Sequence, residues 1–203
     1  MLRPDQEMIC NWIHQGSRIL DLGCGDGTLL RHLTEQLNVD GYGLELNDSN
    51  VLSSLKNGVN VIQSDLDMGL TDYFDDDSFD YVIMSLTLQA MNFPDRLLDE
   101  MLRVGKQGII TFPNFGHWKN RIQLMFHGRM PVTKALPNSW YNTPNIHLCT
   151  LSDFEKLCEQ KGIRILERSV VDNRHREQPL LKLSPNLLGE TAIYRFERLP
   201  YHQ

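Results

Sequence analysis

Asp21, Gly23, Gly25 and Gly27 stand at alternate positions in Ile19-Leu20-Asp21-Leu22-Gly23-Cys24-Gly25-Asp26-Gly27. Glycines so spaced let the backbone turn sharply and approach a ligand, because no Cβ intervenes. Ile19, Leu20 and Leu22 supply the near-continuous apolar run of a buried parallel strand. Leu29, Leu30, Leu33 and Leu37 follow at helical spacing. The order is thus strand, glycine loop, helix, with the helix N-terminus aimed at whatever the loop holds, and the chemistry is that of a cofactor loop. A dinucleotide site would read G-x-G-x-x-G and seat a pyrophosphate. Here the Asp21 carboxylate, two residues before the first glycine, would repel a pyrophosphate and suits a ligand bearing an ammonium and a sulfonium.

S-adenosylmethionine fits that description, and at this point the sequence resembles the class I S-adenosylmethionine-dependent methyltransferases. Glu45 ends the second apolar strand and Asp65 follows the third. The resemblance implies that Glu45 accepts hydrogen bonds from two ribose hydroxyls and that Asp65 receives the adenine amino group. It implies a cofactor-binding set of Asp21, Gly23, Cys24, Gly25, Gly27, Glu45, Leu46, Asp65, Leu66 and Ser85, with S-adenosyl-L-methionine or S-adenosyl-L-homocysteine as cofactor. Any one of these acids reads equally as a solvated loop charge. Three in register, each just past an apolar strand, match three donor regions of one ligand.

The elements that must hold these residues follow from periodicity. Tyr42–Leu46, Asn60–Gln63 and Phe79–Ser85 read as strands, the last lying centrally beside the first, and Gln107–Phe112 as a fifth. Asn47 is placed to cap a helix carrying Val51, Leu52 and Leu55, and Pro94–Asp95 opens another with Leu97, Leu98, Met101 and Leu102 inward and Gly105 as its C′ residue. Ser152 with Glu155 reads as the capping box of a last long helix, before closing strands Arg164–Val171 and Thr191–Arg198. Alternating strands and helices predict a Rossmann-like doubly wound α/β fold. By the resemblance it is a mostly parallel seven-stranded sheet with helices on both faces and the last strand antiparallel. Residues 3–13 read as an amphipathic helix that covers the core without chemistry. The acidic triplet Asp75-Asp76-Asp77 reads as a polar turn rather than a metal site.

At the end of the fourth strand, Ser85, Thr87 and Gln89 occupy the acceptor position, without the Asn/Asp-Pro-Pro-Tyr motif of nucleic-acid amino-methyltransferases. Thr87 and Gln89 read equally as acceptor-pocket or loop-capping residues, and no catalytic base stands out. Residues 113–150 break the strand–helix rhythm as an atypical helical insert. They carry Trp118, Ile122, Met125 and Phe126 at helical spacing, with Trp140, basic side chains and four prolines. Lid, partner-binding face and core-packed helix stay open as readings of this insert. The leucines at 180, 181, 183, 187 and 188 show no assignable period.

Five stretches together are similar to the bacterial MetW family of methionine biosynthesis proteins. They are Met1–Asp5, Leu20–Gly27, Phe112–Trp118, Gly128–Pro137 and Tyr141–Thr150. The similarity spans residues 1 to about 170, and its most specific motifs lie in the insert. It implies a role with homoserine O-acyltransferase in homoserine activation, as a methyltransferase-like binding module. The alternative is active methyl transfer to an unidentified small-molecule or protein acceptor.

Length and charge bound the rest. With 203 residues, 41% of them apolar, the chain suits one domain with a sizeable core. A net charge of −6 disfavours nucleic acid, whose binding rests on Lys and Arg neutralising phosphates. Cys10, Cys24, Cys149 and Cys158 form no C-x-x-C pair, the seven histidines lack metal-ligand spacing, and no apolar run reaches the ~20 residues of a membrane span. The expectation is a reduced, cytoplasmic protein without a metal.

Overall fold

The computed structural model describes residues 2–171 and 183–199. Seven strands form one sheet: β1 Arg18–Leu22, β2 Asp40–Glu45, β3 Asn60–Gln63, β4 Phe79–Ser85, β5 Gly105–Pro113, β6 Ile163–Val171 and β7 Thr191–Arg198. Their order is β3-β2-β1-β4-β5-β7-β6. All pairs from β3 to β5 are parallel, and β7 runs antiparallel to both β5 and β6. This is the predicted doubly wound sheet.

Alternate residues of the central strands feed two apolar layers, as the period of a strand requires. Leu20 and Leu22 of β1 and Val82 and Met84 of β4 enter one layer, with Leu98 and Met101 of α4 (Pro94–Val104) and Phe154 of α6 (Leu151–Gln160). Ile19, Tyr81 and Ile83 enter the other, with Ile9 of α1 (Pro4–Trp12) and Leu29, Leu30 and Leu33 of α2 (Thr28–Leu37). At about 1.5–3 kcal/mol for each fully buried Leu or Ile, these layers dominate the stability of the fold. The strand order reverses between β1 and β4, which opens a crevice beyond their C-terminal ends, where ligands of such sheets bind.

Several boundaries differ from the sequence reading. Gly105 is not a left-handed C′ residue: its φ is −130°, and α4 passes straight into β5 there. Glycine is needed for close approach, since a Cβ would lie 2.4 Å from Val82 Cγ2. The capping box of α6 is Thr150 with Asp153, not Ser152 with Glu155. Leu151 is buried in the core and has to be helical, which moves the cap one residue before it. In α3 (Asp48–Lys56), Asn47 does cap the first turn, but Leu52 and Leu55 are exposed. The triplet at 75–77 is a turn, with Asp76 paired to Arg103 and Asp77 at φ 54°. Leu180 and Leu181 lie outside the described residues.

Candidate cofactor site at the ends of β1 and β4

Strand alternation decides what surrounds Asp21. The register pairs Asp21 with Ile83 and Ser85 with Thr111, so Asp21, Ser85 and Thr111 share the sheet face that α1 covers, all at strand C-terminal ends. Asp21 is 2% exposed, and among the described residues its Oδ1 has no hydrogen-bond partner. Burial pushes its carboxyl up to about 7; nearby Arg3 opposes the rise and Glu45 adds to it. A carboxylate in that state is completed by an incoming cationic donor, because a buried polar group without a partner costs free energy.

Gly23, Gly25 and Gly27 all have positive φ, at 76°, 60° and 75°. They differ in what a side chain would meet. A Cβ on Gly23 would lie 2.6 Å from Thr87 Oγ1, and one on Gly27 2.9 Å from Ser54 Oγ, so both are closed in by protein. One on Gly25 would meet nothing within 4 Å, which makes Gly25 the open point of the loop. Gly23 and Cys24 N–H both donate to Leu44 O. The Cys24 side chain turns instead toward Gly43 and Ser54, and burial pushes its thiol up to about 12, which suits packing rather than ligand chemistry.

The Glu45 carboxylate accepts three backbone N–H groups: Gly25 at 2.9 Å on Oε2, and Leu46 and Asn47 at 2.9 and 2.8 Å on Oε1. These bonds fasten the loop to β2. They occupy three of the roughly four lone-pair positions of a carboxylate, leaving room for one ribose hydroxyl rather than two without rearrangement. Asp65 Oδ1 caps a short 3₁₀ turn by accepting from Asp67 N–H, while the side chain is exposed. Leu66 is buried in the core and Leu46 is exposed.

Sequence reasoning missed the first turn of α1 as part of this region. Asp5, 4% exposed, accepts at Oδ2 from Ser85 Oγ (3.0 Å) and Thr111 Oγ1 (3.1 Å). Arg3 donates to both oxygens of Asp5 and from Nη2 to Ser85 Oγ at 2.6 Å. The helix expected to be mere cover therefore plants an ion pair at the end of β4. The available signal was Ser85 and Thr111, polar residues at inward positions of apolar strands. Leu86, at φ 57°, is a second missed feature: its N–H donates to Thr111 O and Oγ1. A left-handed leucine is strained and marks the turn that carries Thr87 onto Gly23. Gln89 is buried, its side-chain Nε2 donates to Leu86 O, and its backbone carbonyl accepts from Ile146 and His147 N–H. The insert is thereby tied to the end of β4.

Helix α5 (Trp118–His127) is anchored by polar groups. Its one buried residue is Asn120, which donates to Asn114 and Phe115 carbonyls. Asn114 donates to Asn186 and Gly189 carbonyls, and Lys119 pairs with Glu190. His117 is buried, and desolvation holds its imidazole below its usual range. The apolar row points out: Trp118, Ile122, Met125 and Phe126 are 41, 42, 70 and 71% exposed. The core-packed reading of this row does not hold.

The fold is shared widely. An S-adenosylmethionine-dependent methyltransferase from Mesorhizobium loti superposes with a TM-score of 0.70 at 17% identity, covering 97% of this chain and 98% of that one. The putative methyltransferase solved with the Haloferax volcanii Trm112 activator gives 0.68 at 15% identity, covering 98% and 90%. The [4+2]-cyclase SpnF gives 0.67 at 17% identity, covering 95% and 80%, so this likeness shows a fold and not a reaction. The sequence carries the relationship further. The chain is 38% identical to the bifunctional methionine biosynthesis protein MetXA/MetW of Rhodopirellula baltica, over 97% of its own length and 33% of that protein's, so it spans about a third of that relative. The family described as "Methionine biosynthesis protein MetW" matches residues 3–196. The chain belongs to the MetW family of methionine biosynthesis proteins, built on the class I S-adenosylmethionine-dependent methyltransferase fold.

Proposed function

We propose that the protein binds S-adenosylmethionine or S-adenosylhomocysteine at the glycine loop and acts as a binding module on homoserine O-acyltransferase, the enzyme that activates homoserine. The observation that carries the cofactor reading is the buried Asp21 Oδ1, which has no partner among the described residues and precedes a glycine loop that is open at Gly25. In this reading Asp21 takes the ligand's ammonium, Glu45 a ribose hydroxyl, and Asp65 the adenine amino group. The bound group would supply an activated methyl on sulfonium. The chain's residues would align it; of the two buried carboxylates at the ends of β1 and β4, Asp5 is already held by Arg3, Ser85 and Thr111, which leaves Asp21 to meet the ligand.

The partner reading rests on α5 and on the joining of MetXA and MetW in the name of the Rhodopirellula relative. Exposed Trp, Met and Phe in one row are what interface centres use, since they bury large area with few rotors. Polar anchoring by Asn114 and Asn120 leaves that row free to be covered by a partner. The Gln89 carbonyl joins the loop beside the site to the insert, which supports communication between ligand and partner. Calorimetry with S-adenosylhomocysteine, followed by acyltransferase pull-down and rate assays with and without the ligand, tests both halves. Transfer of labelled methyl to an acceptor, without an effect on the acyltransferase, would replace the module reading by the enzymatic one.

A further inference from the structure

Residues 113–150 hold Lys119, Arg121, Arg129 and Lys134 and neither an Asp nor a Glu. Within a chain of net charge −6 that segment is therefore +4 and the rest −10, the rest having 16 Lys and Arg against 26 Asp and Glu. The apolar row of α5 sits among these cations. At 3.6 residues per turn, Trp118, Ile122, Met125 and Phe126 fall at i, i+4, i+7 and i+8 and form one stripe of roughly 100°, with Arg121 along one edge and Lys119 along the other. Beyond its first turn the helix stands clear of the body. Every residue from Ile122 to His127 except Gln123 is exposed, including Leu124, which lies off the stripe. Arg121 is steadied at its base, Nε donating to Gly116 O at 2.5 Å, and Lys119 is shared with Glu190. Arg129 and Lys134 are exposed just past the end of the helix.

We infer that α5 is inserted into an apolar groove of its partner whose rim carries Asp and Glu side chains. This rests on the partner reading above and adds to it the chemistry of the partner's surface. Anchors at i, i+4, i+7 and i+8 are what an amphipathic helix offers to a groove, and Arg121, Arg129 and Lys134 would meet like charge in any basic rim. The charge division also sets the direction of approach, because an acidic surface is attracted to the +4 insert and repelled by the −10 body. A second copy of this chain suits the stripe poorly, since a two-fold contact through α5 would press one basic insert against another. Nucleic acid suits it poorly as well. Ile122 and Met125, which have no π face to stack on a base, occupy the centre of the stripe, and the charge of Lys119 is already met by Glu190.

The test is a biosensor measurement with purified homoserine O-acyltransferase of the same host, at about 20 and about 400 mM salt, where charges are screened over roughly 20 and 5 Å. The wild type should bind at both, with slower association at high salt. Arg121→Glu and Arg129→Glu should slow association by about tenfold at low salt and by less than about twofold at high salt. Ile122→Ala and Met125→Ala should speed dissociation at both salts, whereas Leu124→Ala should not. A melting curve for each variant separates loss of fold from loss of binding. If the wild type binds the acyltransferase and neither charge reversal nor salt changes the association rate, or reversal strengthens binding, the acidic rim falls and the partner reading stands. If Leu124→Ala costs as much as Ile122→Ala, the groove falls. If the folded wild type binds no acyltransferase, this inference and the partner reading both fall; sedimentation of the protein alone and titration with a single-stranded RNA then show whether a second copy or nucleic acid takes the stripe instead.

Discussion

Replacing Asp21 by Asn should make the protein more stable at alkaline pH while disabling the site. The folded state holds a proton on Asp21 up to about pH 7, whereas the unfolded chain releases it near the ordinary carboxyl value of 3.8. Between those limits the folded state binds more protons than the unfolded one. Stability therefore falls as pH rises through the window, and the full penalty is present above it. At about 1.4 kcal/mol per pH unit, a slope that eases as the folded state begins to release its own proton near pH 7, the wild type loses roughly 2 kcal/mol between pH 5 and 7 from this group alone. Asn does not titrate, so its stability relative to the wild type should improve by about 3 kcal/mol from pH 5 to pH 8. At about 2–4 °C per kcal/mol that is a relative gain of roughly 6–12 °C in Tm. Taking the difference between two pH values cancels the fixed cost of burying an amide. Urea or thermal unfolding of both proteins at pH 5, 6, 7 and 8 reads it directly. A stability difference that stays constant across this range would refute the claim that Asp21 is a desolvated carboxylate awaiting a cation.

Three further outcomes follow from the same geometry. Affinity for S-adenosylhomocysteine should fall by up to about tenfold per pH unit below pH 7, because the ammonium then meets a protonated Asp21; calorimetry in two buffers of different ionisation enthalpy should also show proton release. Glu45→Ala should weaken ligand binding by about 10- to 150-fold and raise amide exchange at Gly25, since Glu45 holds both the proposed hydroxyl and the loop. Phe126→Ala should leave Tm within about 2 °C, being exposed, yet cost more than about 1 kcal/mol in acyltransferase binding by pull-down or biosensor; unchanged binding would remove α5 from the interface.

Much of the sheet was legible because its signals are local. β3, β4 and β7 fall within the spans read from apolar runs, and Asn47 caps α3 as its type predicts. The cap of α6 was ambiguous because Thr150-x-x-Asp153 and Ser152-x-x-Glu155 satisfy the same pattern; only the burial of Leu151 separates them. The α5 row shows a different limit. Apolar residues at helical spacing define a stripe but not the direction in which it faces, and here buried Asn120 takes the inner side. In the candidate site, Asp21, the glycines, Glu45 and Asp65 are each adjacent in sequence to a strand end. Arg3 and Asp5 meet Ser85 and Thr111 across 80 to 106 residues, a juxtaposition that no local pattern encodes.

The most direct test of the account is a calorimetric titration of the wild-type protein at pH 8 with S-adenosylhomocysteine and, separately, with NAD. The account predicts one S-adenosylhomocysteine bound per chain, loss of that binding in Asp21→Ala, and no heat from NAD. Tight NAD binding, or the absence of any S-adenosylhomocysteine binding by a folded wild-type protein, would contradict it.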